Sequence, residues 1–176
     1  MAAFIPDLER LVFAARSDAP LADSPTHGEQ HWRAVARTGV EIKHADRLVS
    51  GRVLFLFALL HDARRFTTEP DPEHGPRAAS LAVELREKAW FSLDDKRMAL
   101  LVEACQLHDT GAVSDEPTIG ACYDSDRLQL VRMGITPDAA FLSRPVSRVP
   151  SFMAKVASFH DQAHSWGDLR RELTEH

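Results

Sequence analysis

Cysteine is almost missing from this chain: Cys105 and Cys122 are the two in 176 residues. Two thiols so far apart make neither a zinc ribbon nor a disulfide framework. Both fall in segments with helical patterning, where free cysteine ordinarily serves as a small core residue. Such sparing use suggests a reducing, cytoplasmic setting. An excess of positive charge is also lacking. Lys and Arg number 21 against 26 Asp and Glu, for a net charge of -5 with histidines neutral. No basic stripe appears, so a nucleic-acid polymer is not expected as a partner. Met1 to Arg16 has no basic start followed by a long apolar stretch and a small-residue cleavage site. The apolar run Val53 to Leu60 falls well short of the roughly 20 residues that cross a bilayer, so no membrane is expected either. There is no glycine-rich phosphate loop ending in Lys-Ser/Thr, no dinucleotide fingerprint and no Gly-x-Ser-x-Gly elbow. Clean two-residue alternation, internal repeats and low-complexity tracts are absent as well.

What remains is helical patterning. Pro6 to Phe13 reads as a short helix with proline and acids in its first turn, followed by a loop from Ser17 to Pro25. A second helix is predicted over about His27 to Ala45, where Trp32, Val35, Ala36, Val40 and Ile42 recur near helical spacing. Arg52 to Arg65 is apolar nearly all round and should lie at the centre. After an acidic, proline-containing loop, Thr67 to Glu73, helices are predicted from Pro76 through Arg77 to Trp90, and over about Asp95 to His108. Another starts at Pro117 and stops at Gly134, and a terminal helix spans Ser151 to His164, with an irregular stretch at Ser143 to Pro150 and a polar end after Trp166. The expected fold is all-α, a single-domain helical bundle. Residues 1–136 form the main unit and 137–176 an extension that packs on it or is partly irregular.

The compositional oddity is nine histidines. One of them, His61, ends the apolar run together with Asp62. Core-grade hydrophobicity therefore delivers an imidazole and a carboxylate side by side, and a buried charge is costly unless paired or bound to metal. The two sit about 100° apart around a helix, so they reach one ion only if it lies between their directions. Asp62 has two oxygens and can bridge two ions. The alternative is a core histidine bonded to a backbone carbonyl, with Asp62 paired to Arg64 or Arg65. His27 and His31 are four apart and share a helix face. Trp32 and Val35 put His31 nearer the core, as a direct ligand. His27 then sits at the helix mouth, behind the ligands or against a substrate. Asp124 and Asp126 point to different sides of a helix, so one of them supplies the distal carboxylate while Arg127 can neutralise the other.

The order His31-Trp32-Arg33-Ala34-Val35, Leu59-Leu60-His61-Asp62, Ser125-Asp126-Arg127-Leu128 resembles the HD-domain superfamily, over roughly residues 24–135. Serine at 125 stands where relatives often carry alanine. The resemblance implies a helical, metal-dependent phosphohydrolase in which His31, His61, Asp62 and Asp126 bind one divalent ion. Members with two ions add two histidines, and His74 and His108 occupy positions of that kind, with Asp62 shared. His108-Asp109 and His160-Asp161 read as chance repeats of the pair.

Histidine and carboxylate donors suit Zn, Mn, Fe, Co or Ni without choosing among them. An ion so held activates water and polarises a phosphoryl oxygen, with His61 and Asp62 at the heart of catalysis. The expected substrate is a nucleotide or other small phosphate ester. Its phosphate needs cationic donors, for which Arg64, Arg65 and Arg77 are the candidates and Arg33 a weaker one. These arginines could instead pair with Glu69, Asp71 or Glu73. Two other functions fit the same ligands: oxidative cleavage of C–C or C–P bonds at a dinuclear iron centre, and a non-catalytic regulatory module that keeps the fold.

Overall fold

The computed structural model describes residues 3–175; Met1, Ala2 and His176, at the outer ends of the two segments expected above, lie outside the described residues. Eight α-helices build an all-α bundle: α1 Leu8–Ser17, α2 Glu29–Ala45, α3 Gly51–Leu60, α4 His74–Glu87, α5 Asp95–Leu107, α6 Pro117–Arg127, α7 Pro150–Ala157 and α8 Trp166–Thr174. No strand occurs among the described residues.

α3 is the axis. Every residue from Val53 to Leu60 is fully buried, as expected of a helix with no polar face. It is sheathed by α2, α5, α6 and α8, with α1 and α4 touching it more lightly. α2 and α3 run antiparallel: His31 near the start of α2 meets His61 just past the end of α3, with Nε2 atoms 3.2 Å apart. α5 starts at Asp94, whose side chain accepts from the Arg97 amide at 2.9 Å, a standard N-cap. α6 begins with Glu116 accepting from the Ile119 amide at 2.7 Å and with Pro117 in its first turn.

Several boundaries differ from expectation. α3 stops at Leu60, and Ala63 and Arg65 close tight turns onto the carbonyls of Leu60 and Asp62. α4 begins at His74, two residues before Pro76, and the His74 amide already bonds the Asp71 carbonyl at 3.1 Å. α6 ends at Arg127 and tightens into a 3-10 turn, Leu128–Met133, closed by Gly134 at φ 74°. The terminal helix is short, α7 followed by a 3-10 turn at Ser158–Asp161.

The polar end after Trp166 is itself a helix. Ser165 caps α8 through the Asp168 amide at 3.1 Å. Trp166, Leu169 and Leu173 are buried against α2 and α3, with Trp166 edge-on to Phe55. The stretch after residue 137 packs over α2 through Gln30 to the His160 carbonyl and Arg33 to the His164 carbonyl, at 2.7 and 3.0 Å. Cys105 and Cys122 are both fully buried and free; burial pushes both thiols up, Cys105 to about 12, which disfavours the reactive thiolate. No helix among the described residues is long and apolar enough to cross a membrane.

Candidate metal centre

Five chain segments end at one pole of the bundle: the start of α2, the turn after α3, the start of α4, the turn after α5 and the end of α6. Each brings chemistry. His31 and His61 are fully buried, and His74, His108 and Asp62 nearly so. Asp126 stays open on one side, its side chain 17% exposed.

The donors form two groups sharing one carboxylate. In the first, His31 Nε2 is 3.2 Å from His61 Nε2 and 3.1 Å from Asp126 Oδ1. Asp62 Oδ2 lies 3.8 Å from each of those two imidazole nitrogens. In the second, His74 Nε2 is 2.9 Å from His108 Nε2, and Asp62 Oδ1 lies 3.4 and 3.9 Å from them. Two donors bonded to one ion at about 2.1 Å, at angles of roughly 90–110°, sit about 3.0–3.4 Å apart. The spacing is therefore that of ligands around a common centre, and His31, His61, Asp62 and Asp62, His74, His108 each form a buried trio able to hold an ion. The two oxygens of Asp62 face different trios, so its carboxylate bridges them.

Hydrogen bonding behind the rings makes the same point. His61 Nδ1 sits 3.2 Å from the carbonyls of Phe57 and Ala58. His108 Nδ1 is 2.8 Å from the Cys105 carbonyl, and His74 Nδ1 is 2.5 Å from that of Asp71. A carbonyl can only accept, so in the neutral rings Nδ1 carries the hydrogen and Nε2 keeps its lone pair. His74 and His108 thus aim lone pairs at each other across 2.9 Å. That is repulsive in the absence of a cation and is the usual arrangement of metal-binding histidine. The residues fit a metal.

Ionisation agrees. Burial first, then the charge of Arg132, pushes the His31 pKa down to about 3. Burial likewise lowers His74 and His108. Burial alone would raise Asp62, but His61, then His27 and His31, hold it well below the usual carboxylate range. Burial is overcome in Asp126 too, by its hydrogen bond to His31 and by the imidazole of His61. Neutral imidazoles and anionic carboxylates are the forms that bind metal.

Gly75 explains how α4 delivers His74. A Cβ there would lie 2.8 Å from the carbonyl oxygens of Cys105 and Gln106. Glycine lets the start of α4 press against the end of α5, which brings His74 and His108 together.

His27 is buried at the rim, its Nδ1 3.3 Å from Asp62 Oδ2. Asp124 is not at the centre: its two oxygens accept from the Ser143 and Arg144 amides, each at 2.7 Å, and pin the following loop. The distal carboxylate facing the imidazoles is therefore Asp126. Arg127 donates to the Phe141 and His108 carbonyls and lies over the Tyr123 ring, so it props the loops, and its charge also acts on Asp124 as expected.

The candidate phosphate-binding arginines separate. Arg65 stands over His74, with Nη1 3.3 Å from Nδ1 and 3.4 Å from Nε2. Arg64 turns away toward α1, to the Ala15 and Ala63 carbonyls and Asp18. Arg77 is held by both oxygens of Asp71 and by the Arg64 carbonyl, and it stacks on Phe66. Arg33 pairs with Glu29. The helix ends at Leu60, so Arg64 does not continue the face that carries His61.

Two residues of the neighbourhood were not expected. Arg132, from the 3-10 turn after α6, is anchored by the Thr26 and Gln129 carbonyls at 2.5 and 2.7 Å. Its charge acts on His31, Asp62 and Asp126. Asp109, whose pairing with His108 reads in the sequence as a chance repeat, has Oδ2 3.5 Å from His74 Nδ1. The other repeat makes no such contact: His160 is joined to the bundle through its carbonyl.

This is a helical protein with a buried His/Asp cluster that can hold one or two metal ions, an arrangement that fits an HD-like site. Comparison with protein-family models, with curated proteins and with solved structures found no match to the chain.

Proposed function

We propose that the chain is a metal-dependent phosphohydrolase of the HD-domain type, acting on a nucleotide or other small phosphate ester. The observation that carries this reading is the bridging Asp62 carboxylate, one oxygen toward His31 and His61 and the other toward His74 and His108. His31, His61, Asp62 and Asp126 would hold one ion, and Asp62, His74 and His108 a second. Bound divalent metal supplies an acidified water and polarisation of a phosphoryl oxygen, and a pair of ions can stabilise both entering and leaving oxygens.

The chain's own residues do the rest. His27 donates to Asp62 Oδ2 and keeps that carboxylate turned so that its oxygens address both trios. The carbonyls behind His61, His74 and His108 fix their tautomers. Asp109 steadies His74. Arg65 and Arg132 supply positive charge beside the carboxylates, where the phosphate of a substrate would otherwise be repelled. Arg132 is held by backbone carbonyls, so its guanidinium needs little reordering when an anion arrives. The partly open side of Asp126 gives the substrate its approach.

The test is metal content together with phosphate release from a panel of nucleotides and generic phosphoesters. Stoichiometric metal with turnover of at least one ester is expected. Metal-loaded protein inert across a broad panel would count against the reading. A second reading shares the same observation, since oxidative cleavage at a dinuclear iron centre also needs all six ligands. Oxygen uptake with a diol or phosphonate by iron-loaded protein would favour it. A regulatory module would bind metal without any turnover.

A further inference from the structure

At the opposite pole of the bundle lies a cleft of about 870 Å³ walled by the end of α2, the start of α3, the start of α5 and the end of α8. Among the described residues, the charged side chains lining it are Lys43, Arg47, Arg52 and Arg97, joined by His44, and no carboxylate side chain lines it. This concentration occurs in a chain whose net charge is -5. Among the described residues, Lys43, Arg47 and Arg52 form no ion pair, and Arg97 pairs only with its own helix cap, Asp94.

Helix dipoles account for part of the cluster only. Lys43 and His44 sit in the last turn of α2, where cations are favoured. Arg52 and Arg97 are in the first turns of α3 and α5, where the dipole disfavours them. Arg52 lies over the Phe4 ring and Arg97 reaches Asp94, whereas among the described residues Lys43 and Arg47 have no such partner; breaks of local preference of this kind gather at functional sites. The cleft is also built tightly. A Cβ on Gly51 would lie 1.8 Å from the Leu173 carbonyl oxygen and 2.9 Å from Lys43 Cε, so glycine lets α8 and the Lys43 stem close over the start of α3. Ser50, the residue before α3, makes no side-chain cap, so the amides there add partial positive charge.

We propose that this cleft binds a small, multiply charged phosphate anion of the pyrophosphate or triphosphate class. Its volume falls within the roughly 300–1,000 Å³ of small-molecule sites. Three arginines offer planar donors matched to phosphate oxygens. The site is separate from the histidine cluster and does not depend on it. α3 runs 10 residues from Gly51 in the cleft to Leu60 before His61, about 15 Å of helix.

The experiment is calorimetric titration of the full chain with pyrophosphate at fixed ionic strength, in parallel with Asp62→Ala and with Arg47→Gln/Arg52→Gln. One saturable event common to wild type and Asp62→Ala is expected. It should weaken at least about tenfold in the double variant, since each substitution removes a charge-assisted hydrogen bond. Arg47 and Arg52 are exposed, so the variant should unfold at the wild-type temperature; if it does not fold, Arg97→Gln, on a different helix, carries the same expectation. Absence of saturable binding would overturn the proposal. So would an event abolished by Asp62→Ala and untouched by the arginine changes, which would place the anion at the histidines. Binding to phosphatidylserine vesicles with no response to pyrophosphate would overturn it in favour of a membrane surface.

Discussion

The two poles of α3 handle charge in opposite ways. At the end beyond Leu60, five histidines and two aspartates are packed within a few ångströms, all but Asp126 buried, with backbone carbonyls behind three of the rings. At the Gly51 end, cations stand around an open cleft on long side chains with few partners. Burial is what separates them. Removed from water, His31, His74 and His108 hold their protons less readily and become donors for a cation. Left in water on long side chains, the arginines can attract an anion. Buried charge makes a rigid, selective centre; solvated charge makes a salt-sensitive one.

The largest effect should come from breaking the buried pole at its shared ligand. Asp62→Ala removes a donor from both trios, so both ions should be lost by elemental analysis. Phosphoester turnover should fall by about a thousandfold or more, given the several kcal/mol that metal charge stabilisation supplies. Pyrophosphate binding at the other pole should persist.

Acid sharpens the contrast next. In metal-free protein, His31, His74 and His108 have folded-state pKa values below the ordinary 6.5, His31 near 3. Below 6.5 the unfolded chain takes up protons that these rings refuse, so stability must fall as pH drops from there toward about 3. Asp62 and Asp126, also depressed, add stability above the usual carboxylate range that is lost as pH falls through it. Both act in the same direction. Denaturant unfolding at a series of pH values should show early acid loss in chelated protein. Metal-loaded protein should resist longer, because metal binding favours the folded state. Equal pH profiles for the two forms would contradict this.

A smaller and more local break is Gly75→Ala. The added methyl must push α4 off the Cys105 and Gln106 carbonyls, displacing His74 from His108. One ion should remain tightly bound while the second weakens by roughly 10–100-fold, read by metal titration. Unchanged affinity for both would show that α4 can shift without moving its histidine.

Arginine substitutions should be milder still. Arg132→Ala and Arg65→Ala should each lower kcat/KM about tenfold, the cost of one charge-assisted hydrogen bond to phosphate. Arg64→Ala, whose guanidinium faces α1 and Asp18, should leave kcat/KM within about twofold. A reversal of that order would mean that the turn after α3 rearranges when substrate binds.

Much of the buried pole was legible because its residues lie on or next to strongly periodic helices. The apolar run into His61-Asp62, and the i, i+4 pair His27 and His31, could be projected as helix faces, and the resemblance added an ordered ligand set. What could not be read depended on where helices stop. α3 ends at Leu60, so projection failed for Arg64. Arg132 follows α6 in a 3-10 turn, where a 3.6-residue period no longer applies, and only folding returns it to His31. Asp109 looked like a repeated dipeptide because its partner, His74, is far away in sequence. α8 is hard to read although Trp166, Leu169 and Leu173 do have helical spacing; the charged residues between them mask the pattern. The basic cleft is not legible in the sequence because Arg97 joins Lys43, Arg47 and Arg52 only once α5 packs beside α3.

The most direct test of the central claim is anomalous diffraction at the metal edges from crystals of the metal-loaded chain. Two peaks are predicted, one among His31, His61 and Asp126 and one between His74 and His108, with the Asp62 carboxylate spanning them. A map with no peak at this pole, or imidazoles whose Nε2 atoms fail to converge, would contradict the account.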